Sequence, residues 1–110
     1  MSRDRLPDRR RCEIQKVHHN NHKYMITVGR YDDGRPAEVF IDSSRPCSES
    51  VTLADDAAIA ASIALQYGVP LPVLRCAVSR DPDGSPATIF GAALDLLAEA
   101  AAPVLIEAAE

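Results

Sequence analysis

The sequence predicts an α+β domain, in which an antiparallel β-meander of two or three strands precedes three helices and the central helix is buried. Three observations support this class. Apolar residues recur with a period of two between residues 24 and 41, a long apolar segment runs over residues 53–65, and a further helical stripe begins at residue 89. The 110 residues suit one small domain, which we predict over residues 12–110 after a basic extended arm over residues 1–11.

The first predicted feature is a β-hairpin centred on Asp33-Gly34, a dipeptide that favours tight turns between strands. If these two residues form the loop, Val28 pairs with Val39 and the apolar residues of both strands share one face. A shift of one residue would send every apolar side chain to the other face, so the register is well specified. The apolar face is predicted to consist of Tyr24, Ile26, Val28, Ala37, Val39 and Ile41.

Residues 12–17 are a weaker candidate for a third strand. Cys12 and Ile14 share one face of an extended chain, whereas Val17 lies on the other. A β-bulge near Lys16 would reconcile the two faces, and the sheet would then be a three-strand meander.

The first helix is predicted to begin near Thr52 and Asp55, which resemble a cap, and to stop at Gly68. Its apolar residues lie on almost every side. This pattern predicts burial on several faces, against the sheet and against other helices or another subunit. Asp55 and Asp56 fall in the predicted first turn, where they complement the helix dipole, a role that we rank above a Mg²⁺ site.

Two shorter helices are predicted to follow. Residues 71–79 suit a short second helix, and a turn then leads to Ser85 as the cap of the third helix, with Pro86 in its first position. Pro103 ends or kinks the third helix. We expect residues 104–110 to form a last helical turn or two.

Charge is distributed unevenly along the chain. Residues 1–35 carry nine Lys and Arg against five Asp and Glu, a net charge of +4, whereas residues 36–110 carry three against eleven, a net charge of −8. A basic arm joined to an acidic body suits an anionic partner, or head-to-body pairing with another copy. The residues predicted to contact an anionic partner or a phosphate are Arg9, Arg10 and Arg11.

The histidines form one cluster, His18, His19 and His22, in the stretch HHNNH. Asn20 and Asn21 tolerate the left-handed backbone of a two-residue turn, so this stretch is predicted to be a hairpin tip with His19 paired to His22. A zinc site needs three or four converging ligands, and neither HExxH nor a distal Cys/His cluster completes a set. We therefore predict a turn and no metal site.

No catalytic motif stands out in the sequence, which lacks GxSxG, GxGxxG and GxxxxGK[ST]. The cysteines lie far apart without a CxxC pair, which indicates reduced thiols; Cys47, close to Arg45 in a polar loop, is the candidate reactive one. The N-terminus has no apolar signal segment and the chain has no apolar run of about 20 residues, so we expect a cytoplasmic protein without a membrane partner.

Four stretches carry the most specific pattern in the chain: LPDRR at residues 6–10, GRYDDGRPAEVFI at 29–41, SIALQYGVPL at 62–71 and DPDGSP at 81–86. Their order and spacing resemble the C-terminal tail, or TSCPD-type domain, of adenosylcobalamin (vitamin B12)-dependent class II ribonucleotide reductases. The resemblance extends across nearly the whole chain and is densest in the second and third stretches.

The resemblance implies a scaffold without a reaction. Such reductases carry out their chemistry in a ten-stranded barrel with cobalamin, a radical cysteine and a redox cysteine pair, and this chain has no counterpart of the barrel. No catalytic residue therefore carries over, and no cofactor is expected in this chain. The Thr-Ser-Cys-Pro-Asp motif of related tails has its nearest counterpart in Pro46-Cys47-Ser48, which does not match it.

We therefore expect a free-standing, non-catalytic domain that acts by self-association through its apolar helices or by docking on a reductase, in support of deoxynucleotide supply for DNA synthesis. Its partner is then a second copy or a reductase subunit. The alternative is a nucleotide or nucleic-acid binding module that uses the N-terminal arginines. We rank it lower because the acidic body would repel a long duplex and few aromatic residues are present for base stacking.

Overall fold

The computed structural model describes residues 2–7, 10–43, 49–99 and 106–108, with residues 10, 11 and 106–108 described by their backbone alone. The fold is α+β, as predicted, with an antiparallel sheet of order β3-β2-β1-β4. The elements are β1 (Arg10–His19), β2 (His22–Arg30), β3 (Pro36–Ser43), α1 (Glu49–Gln66), α2 (Leu71–Ala77), α3 (Ile89–Leu97) and β4 (Ile106–Ala108).

The hairpin of β2 and β3 has the predicted register, with Val28 opposite Val39 and all six residues of the predicted apolar face buried. Its loop is one residue longer than predicted. The Tyr31 N–H donates to the Arg35 carbonyl at 2.9 Å, and residues 32–34 form a three-residue loop that ends at Gly34 with φ +91°. A β-bulge near the end of β2 absorbs the extra residue, so the strands realign beyond it.

Strand β1 pairs with β2 without interruption, starting with Cys12 opposite Gly29. The predicted bulge near Lys16 is wrong, because the register is constant along the whole described pairing. Val17 lies on the face that packs against the helices, whereas Ile14 lies on the opposite face. The two faces of β1 are therefore both apolar in part, and no bulge reconciles them.

Helix α1 begins earlier than predicted, at Glu49. Thr52 therefore lies inside the helix and Asp55 lies in its second turn, so the predicted cap at these residues is wrong. The predicted stop is confirmed, because α1 ends at Gln66 and Gly68 follows with φ +98°.

Helix α3 begins at Ile89, three residues after the predicted first helical position. Its N-cap is Thr88, whose Oγ1 accepts a hydrogen bond from the Gly91 N–H at 3.1 Å. Ser85 and Pro86 were predicted to start this helix. They belong to the preceding turn instead, because the Ser85 carbonyl accepts the hydrogen bond that closes it.

The hydrophobic core lies between the helices and one face of the sheet, which we call the inner face. The central helix is buried against this face as predicted, with Ala58 and Ala61 allowing a close approach. Burial is confined to one side of α1, however. The opposite side exposes the α1 stripe, which consists of Leu53, Ile59, Ile63 and Tyr67 at 60%, 40%, 38% and 40% exposure.

A row of polar side chains on α1 covers the edge of β3 that faces away from β2. Ser62 Oγ accepts a hydrogen bond from the Val39 N–H at 2.8 Å. Asp55 Oδ1 accepts from the Ile41 N–H at 3.0 Å, and Gln66 Nε2 donates to a further β3 carbonyl at 3.1 Å. Since an uncovered strand edge can pair with another chain, this row protects the edge from unwanted pairing.

The last described stretch is a strand and not the predicted helical turn. In β4, Ala108 lies opposite Arg10 and Ile106 lies opposite Cys12. The alanine-rich tail favours a helix locally, but pairing with β1 supplies a long-range partner for its backbone. Because β1 begins at Arg10, the predicted limit of the arm at residue 11 falls inside a strand. None of the helices in the described ranges is long and apolar enough to cross a membrane.

Candidate functional site

Three segments of the chain meet around one groove with a volume of about 880 Å³. They are the β2–β3 turn, the loop between α1 and α2, and the C-terminal end of α3. Two of the stretches singled out in the sequence, at residues 29–41 and 62–71, therefore line one site. The apolar lining includes Leu65, Val69, Pro70, Leu71 and Leu97, and the cationic lining consists of Arg30, Arg35 and Arg75.

Arg30 fixes one wall of the groove. Its Nε donates to the Glu13 carboxylate at 2.9 Å, and both side chains are largely buried. Its Nη2 donates to the Glu99 carbonyl at 2.9 Å and to the Leu97 carbonyl at 3.3 Å, at the end of α3. Its Nη1 lies 3.3 Å from the Gly34 carbonyl in the turn. The guanidinium can join these partners because its planar fork presents five donors.

The N-terminal segment lies beside the groove. The Asp4 N–H donates to the Gln66 carbonyl at 2.7 Å, and Arg3 Nε donates to the Gln66 side chain at 2.6 Å. The Tyr31 hydroxyl donates to the Asp4 carbonyl. Burial raises the pKa of Tyr31, and the Asp4 carboxylate raises it further. These contacts place Arg3 and Asp4, just before the stretch that begins at residue 6, beside the groove.

Arg35 occupies the exposed rim of the groove. Its Nε donates to the Asp33 carboxylate at 2.7 Å, and its guanidinium carbon lies 4.4 Å from the centre of the Tyr31 ring. The hydrogen bonds from Arg35 lower the pKa of Asp33. The Arg35 side chain is 60% exposed, so its cation remains accessible to a partner. Its pairing with Asp33 contributes little to stability, as is usual for exposed ion pairs.

Asp95 of α3 holds two arginines. Arg80 binds both of its carboxylate oxygens, at 2.8 Å and 2.7 Å, and Arg75 Nε donates to it at 3.0 Å. The hydrogen bonds from Arg80, with those from Arg75, keep the pKa of Asp95 below its ordinary value of 3.8. This clamp attaches α2 and the turn at residues 81–86 to α3, so the fourth stretch supports the groove through Arg75.

The two loops that end at Gly34 and Gly84 share one design. Both glycines have positive φ, +91° and +89°, and each carbonyl lies 3.3 Å from the Nη1 of an arginine four residues earlier, Arg30 or Arg80. Both arginines then reach α3. Both loops have the sequence Arg-x-x-Asp-Gly, a repeated signal in the sequence that could have pointed to the site.

The predicted hairpin tip at the histidines is confirmed. Asn20 and Asn21 have φ of 50° and 66°, and His19 lies opposite His22. His18 lies on the other face of the sheet from His19, so the three rings do not converge. Within the described ranges, no group of three or more His, Cys, Asp or Glu is placed to hold a metal ion.

The predicted contacts to an anionic partner stay a prediction. Arg10 and Arg11 lie in β1, and Arg9 lies outside the described residues. Cys47, the predicted reactive thiol, also lies outside them. Of the cysteines in the described ranges, Cys12 is buried and Cys76 is exposed.

The chain is similar to one domain family and to part of several reductases. The family model of the TSCPD domain matches residues 2–89, which include all four stretches. The vitamin B12-dependent ribonucleotide reductase of Bradyrhizobium diazoefficiens is 44% identical over 69 residues, which cover 63% of this chain and 6% of the reductase.

Two further relatives have the same name. The vitamin B12-dependent ribonucleotide reductase of Rhodopirellula baltica is 43% identical over 72 residues, 66% of this chain and 7% of the reductase. That of Agrobacterium fabrum is 41% identical over 69 residues, 63% of this chain and 5% of the reductase. The matched part thus spans between 5% and 7% of the length of these relatives. No solved structure matches the chain significantly.

Proposed function

Because the chain belongs to the TSCPD domain family, we propose that it is a non-catalytic domain that docks on a vitamin B12-dependent ribonucleotide reductase. In this role it supports deoxynucleotide supply for DNA synthesis. The observation that carries the proposal is the meeting of the stretches at residues 29–41 and 62–71 around one groove, with the N-terminal segment beside it.

The chemistry of the groove supports contact with a protein segment. Its lining is mainly apolar, and Arg35 stands at its rim, exposed to solvent. Interfaces of this kind combine an apolar centre with a charged rim. The complementary segment of the reductase is therefore apolar and carries a carboxylate that reaches Arg35.

Under this proposal cobalamin and the reaction belong to the partner. Arg30 and Arg75 of the groove are bound to carboxylates of the chain itself, which suits a scaffold. The purified chain, supplied with a ribonucleotide, a reductant and adenosylcobalamin, is expected to form no deoxyribonucleotide. Turnover by the chain alone would overturn the non-catalytic part of the proposal.

The docking part is tested by titrating the fluorescently labelled chain with the purified reductase of the same organism. Val69→Asp places a charge in the groove and is expected to weaken binding by roughly tenfold or more. Val73→Asp is the matched control, because Val73 is 57% exposed on α2 and does not line the groove. Equal affinities for the two variants, or no binding of the unmodified chain, would contradict docking through the groove.

A further inference from the structure

The face of the sheet opposite the helices, which we call the outer face, carries an exposed apolar centre. Ile14 on β1, Met25 on β2 and Phe40 on β3 are 41%, 39% and 37% exposed. An antiparallel sheet that faces water on one side is normally polar there. Three large apolar side chains on neighbouring strands therefore indicate a contact surface.

The strand register arranges the outer face in rows across the three strands. One row consists of Ile14, Thr27 and Phe40, and the next consists of Lys16, Met25 and Asp42. Lys16 and Asp42 are both exposed and stand about 10 Å apart, two strand spacings, on either side of Met25. The second row therefore runs from a positive end to a negative end across an apolar centre.

We propose that the outer face binds the outer face of a second copy of this chain about a two-fold axis parallel to β2, with Lys16 of each copy opposite Asp42 of the other. This inference rests on the proposed function, in which the domain acts by contact with proteins. It adds a second copy as a partner and assigns it a surface separate from the groove.

The axis follows from the charges. A two-fold axis parallel to β2 exchanges the positions of β1 and β3 and keeps each row in place. The Lys16 end then meets the Asp42 end twice, and Ile14 meets Phe40 twice, which makes these two rows self-complementary. Lys23, exposed at the end of the outer face on β2, lies opposite Lys23 of the second copy, one like-charge contact against two Lys16–Asp42 contacts. An in-plane axis across the strands would instead place β1 over β1, with Lys16 away from Asp42.

The α1 stripe fits a second copy less well. Helix α1 carries Glu49, Asp55 and Asp56 and contains no lysine or arginine. Asp56 lies on the exposed side of α1 with the stripe, so a symmetric pairing of two such helices would bring acids together. The outer face has both signs of charge, and we therefore place the self-contact there and not on the helices.

The size of the outer face predicts a weak dimer. Three strands are about 14 Å wide, and the six residues of strand beyond the buried row of Cys12, Gly29 and Glu38 are about 20 Å long. The resulting area, roughly 300 Å² per copy, is less than half of what a standard interface buries on each partner. Dimerisation is therefore expected at micromolar or higher concentration, and it should weaken as salt screens the Lys16–Asp42 contacts.

The test is sedimentation equilibrium of the full chain between about 10 µM and about 1 mM, with charge reversals at the proposed contacts. Lys16→Glu and Asp42→Lys are each expected to weaken dimerisation by roughly tenfold or more, because like charges then meet twice. The double variant Lys16→Glu/Asp42→Lys restores opposite charges and is expected to dimerise within about threefold of the unmodified chain. Circular dichroism confirms that each variant is folded.

A monomer at every concentration would overturn the inference, as would a double variant that fails to recover. Leu53→Asp serves as the matched control on the α1 stripe. If Leu53→Asp abolishes dimerisation and the charge reversals have no effect on it, the contact lies on the helices instead. Reductase titrations with Lys16→Glu separate the two proposals. If Lys16→Glu still binds the reductase through the groove, the proposed function stands, whether or not the chain dimerises.

Discussion

The two faces of the β-sheet come from alternate residues of the same strands, yet they have opposite surroundings. On the inner face, Ile26 and Val39 are fully buried under the helices. On the outer face, their chain neighbours Met25 and Phe40 remain more than a third exposed. Both faces therefore contain apolar residues, and the outer face is open around Met25 and Phe40, whereas its row of Cys12, Gly29 and Glu38 is buried.

The comparison separates folding from association. Burial on the inner face lowers the free energy of the folded monomer, because the helices remove that surface from water. The exposed part of the outer face, around Met25 and Phe40, contributes little until a partner covers it. Variants on the two faces should therefore affect different measurements, and the predictions below run from the largest expected effect to the smallest.

The largest effect is expected on the inner face at Ile26. Ile26→Ala removes a fully buried side chain and leaves a cavity, and it should reduce the free energy of unfolding by about 3–5 kcal/mol. Met25→Ala, the neighbouring position on the outer face, should cost less than about 1 kcal/mol. Urea denaturation below the dimerisation range measures both. Similar losses at the two positions would contradict the division between the faces.

The second effect concerns the edge where β3 meets α1. Ser62→Ala removes the acceptor of the Val39 N–H and leaves that group buried without its hydrogen bond, at a cost of about 1–3 kcal/mol. Ser50→Ala is the control, because Ser50 is exposed on the same helix and reports the helix propensity of the change alone. Equal free energies of unfolding for the two variants would show that the hydrogen bond between Val39 and Ser62 does not stabilise the fold.

The third effect lies at Gly29, which is buried at one end of the outer face beside Glu38. A Cβ at this position would lie 2.6 Å from Cγ of Glu38, its partner across β2 and β3, so Gly29→Ala should cost about 1–2 kcal/mol. In a double-mutant cycle with Glu38→Ala, the cost of Gly29→Ala should fall by at least about 0.5 kcal/mol. If the stability losses of Gly29→Ala and Glu38→Ala simply add, contact with Glu38 is not the reason that glycine is needed at position 29.

The sequence predicts the hairpin of β2 and β3 because the inner-face residues of these two strands are all apolar. Tyr24, Ile26 and Val28 and their partners on β3 define one register, whatever the turn between them. The loop length was missed because a bulge near Arg30 compensates for the extra loop residue, and alternation does not report a compensated insertion. The strand at Ile106–Ala108 was missed because its pairing with β1 is set by long-range contacts.

The groove was predictable only in part. The stretches that line it are visible in the sequence, but the contacts that join them depend on the tertiary fold. Arg30 meets Glu13 and the end of α3 only once the sheet and helices have assembled. The polar row of Asp55, Ser62 and Gln66 has helical spacing, and it was overlooked because alanines dominate α1.

The smallest effect is expected at Asp95, in the clamp that attaches α2 to α3 above the inner face. Its pKa is lowered by Arg80 and Arg75, so its contribution to stability is present above the unfolded pKa near 3.8 and is lost as pH falls through the lower folded pKa. Asp95→Asn should cost up to about 1 kcal/mol at pH 7, because the pair is partly exposed. The difference from the unmodified chain should shrink below about pH 4.

The pH dependence distinguishes a charge effect from a packing effect at this clamp. Free energies of unfolding from urea melts between about pH 2 and pH 7 are compared for Asp95→Asn and for Asp56→Asn, an exposed carboxylate on α1. A loss at Asp95 that stays constant down to about pH 2 would mean that the asparagine disturbs packing and that the ion pairs with Arg80 and Arg75 contribute nothing. A loss that fades with acid, absent at Asp56, would show that the charge of Asp95 attaches α2 and the turn at residues 81–86 to α3.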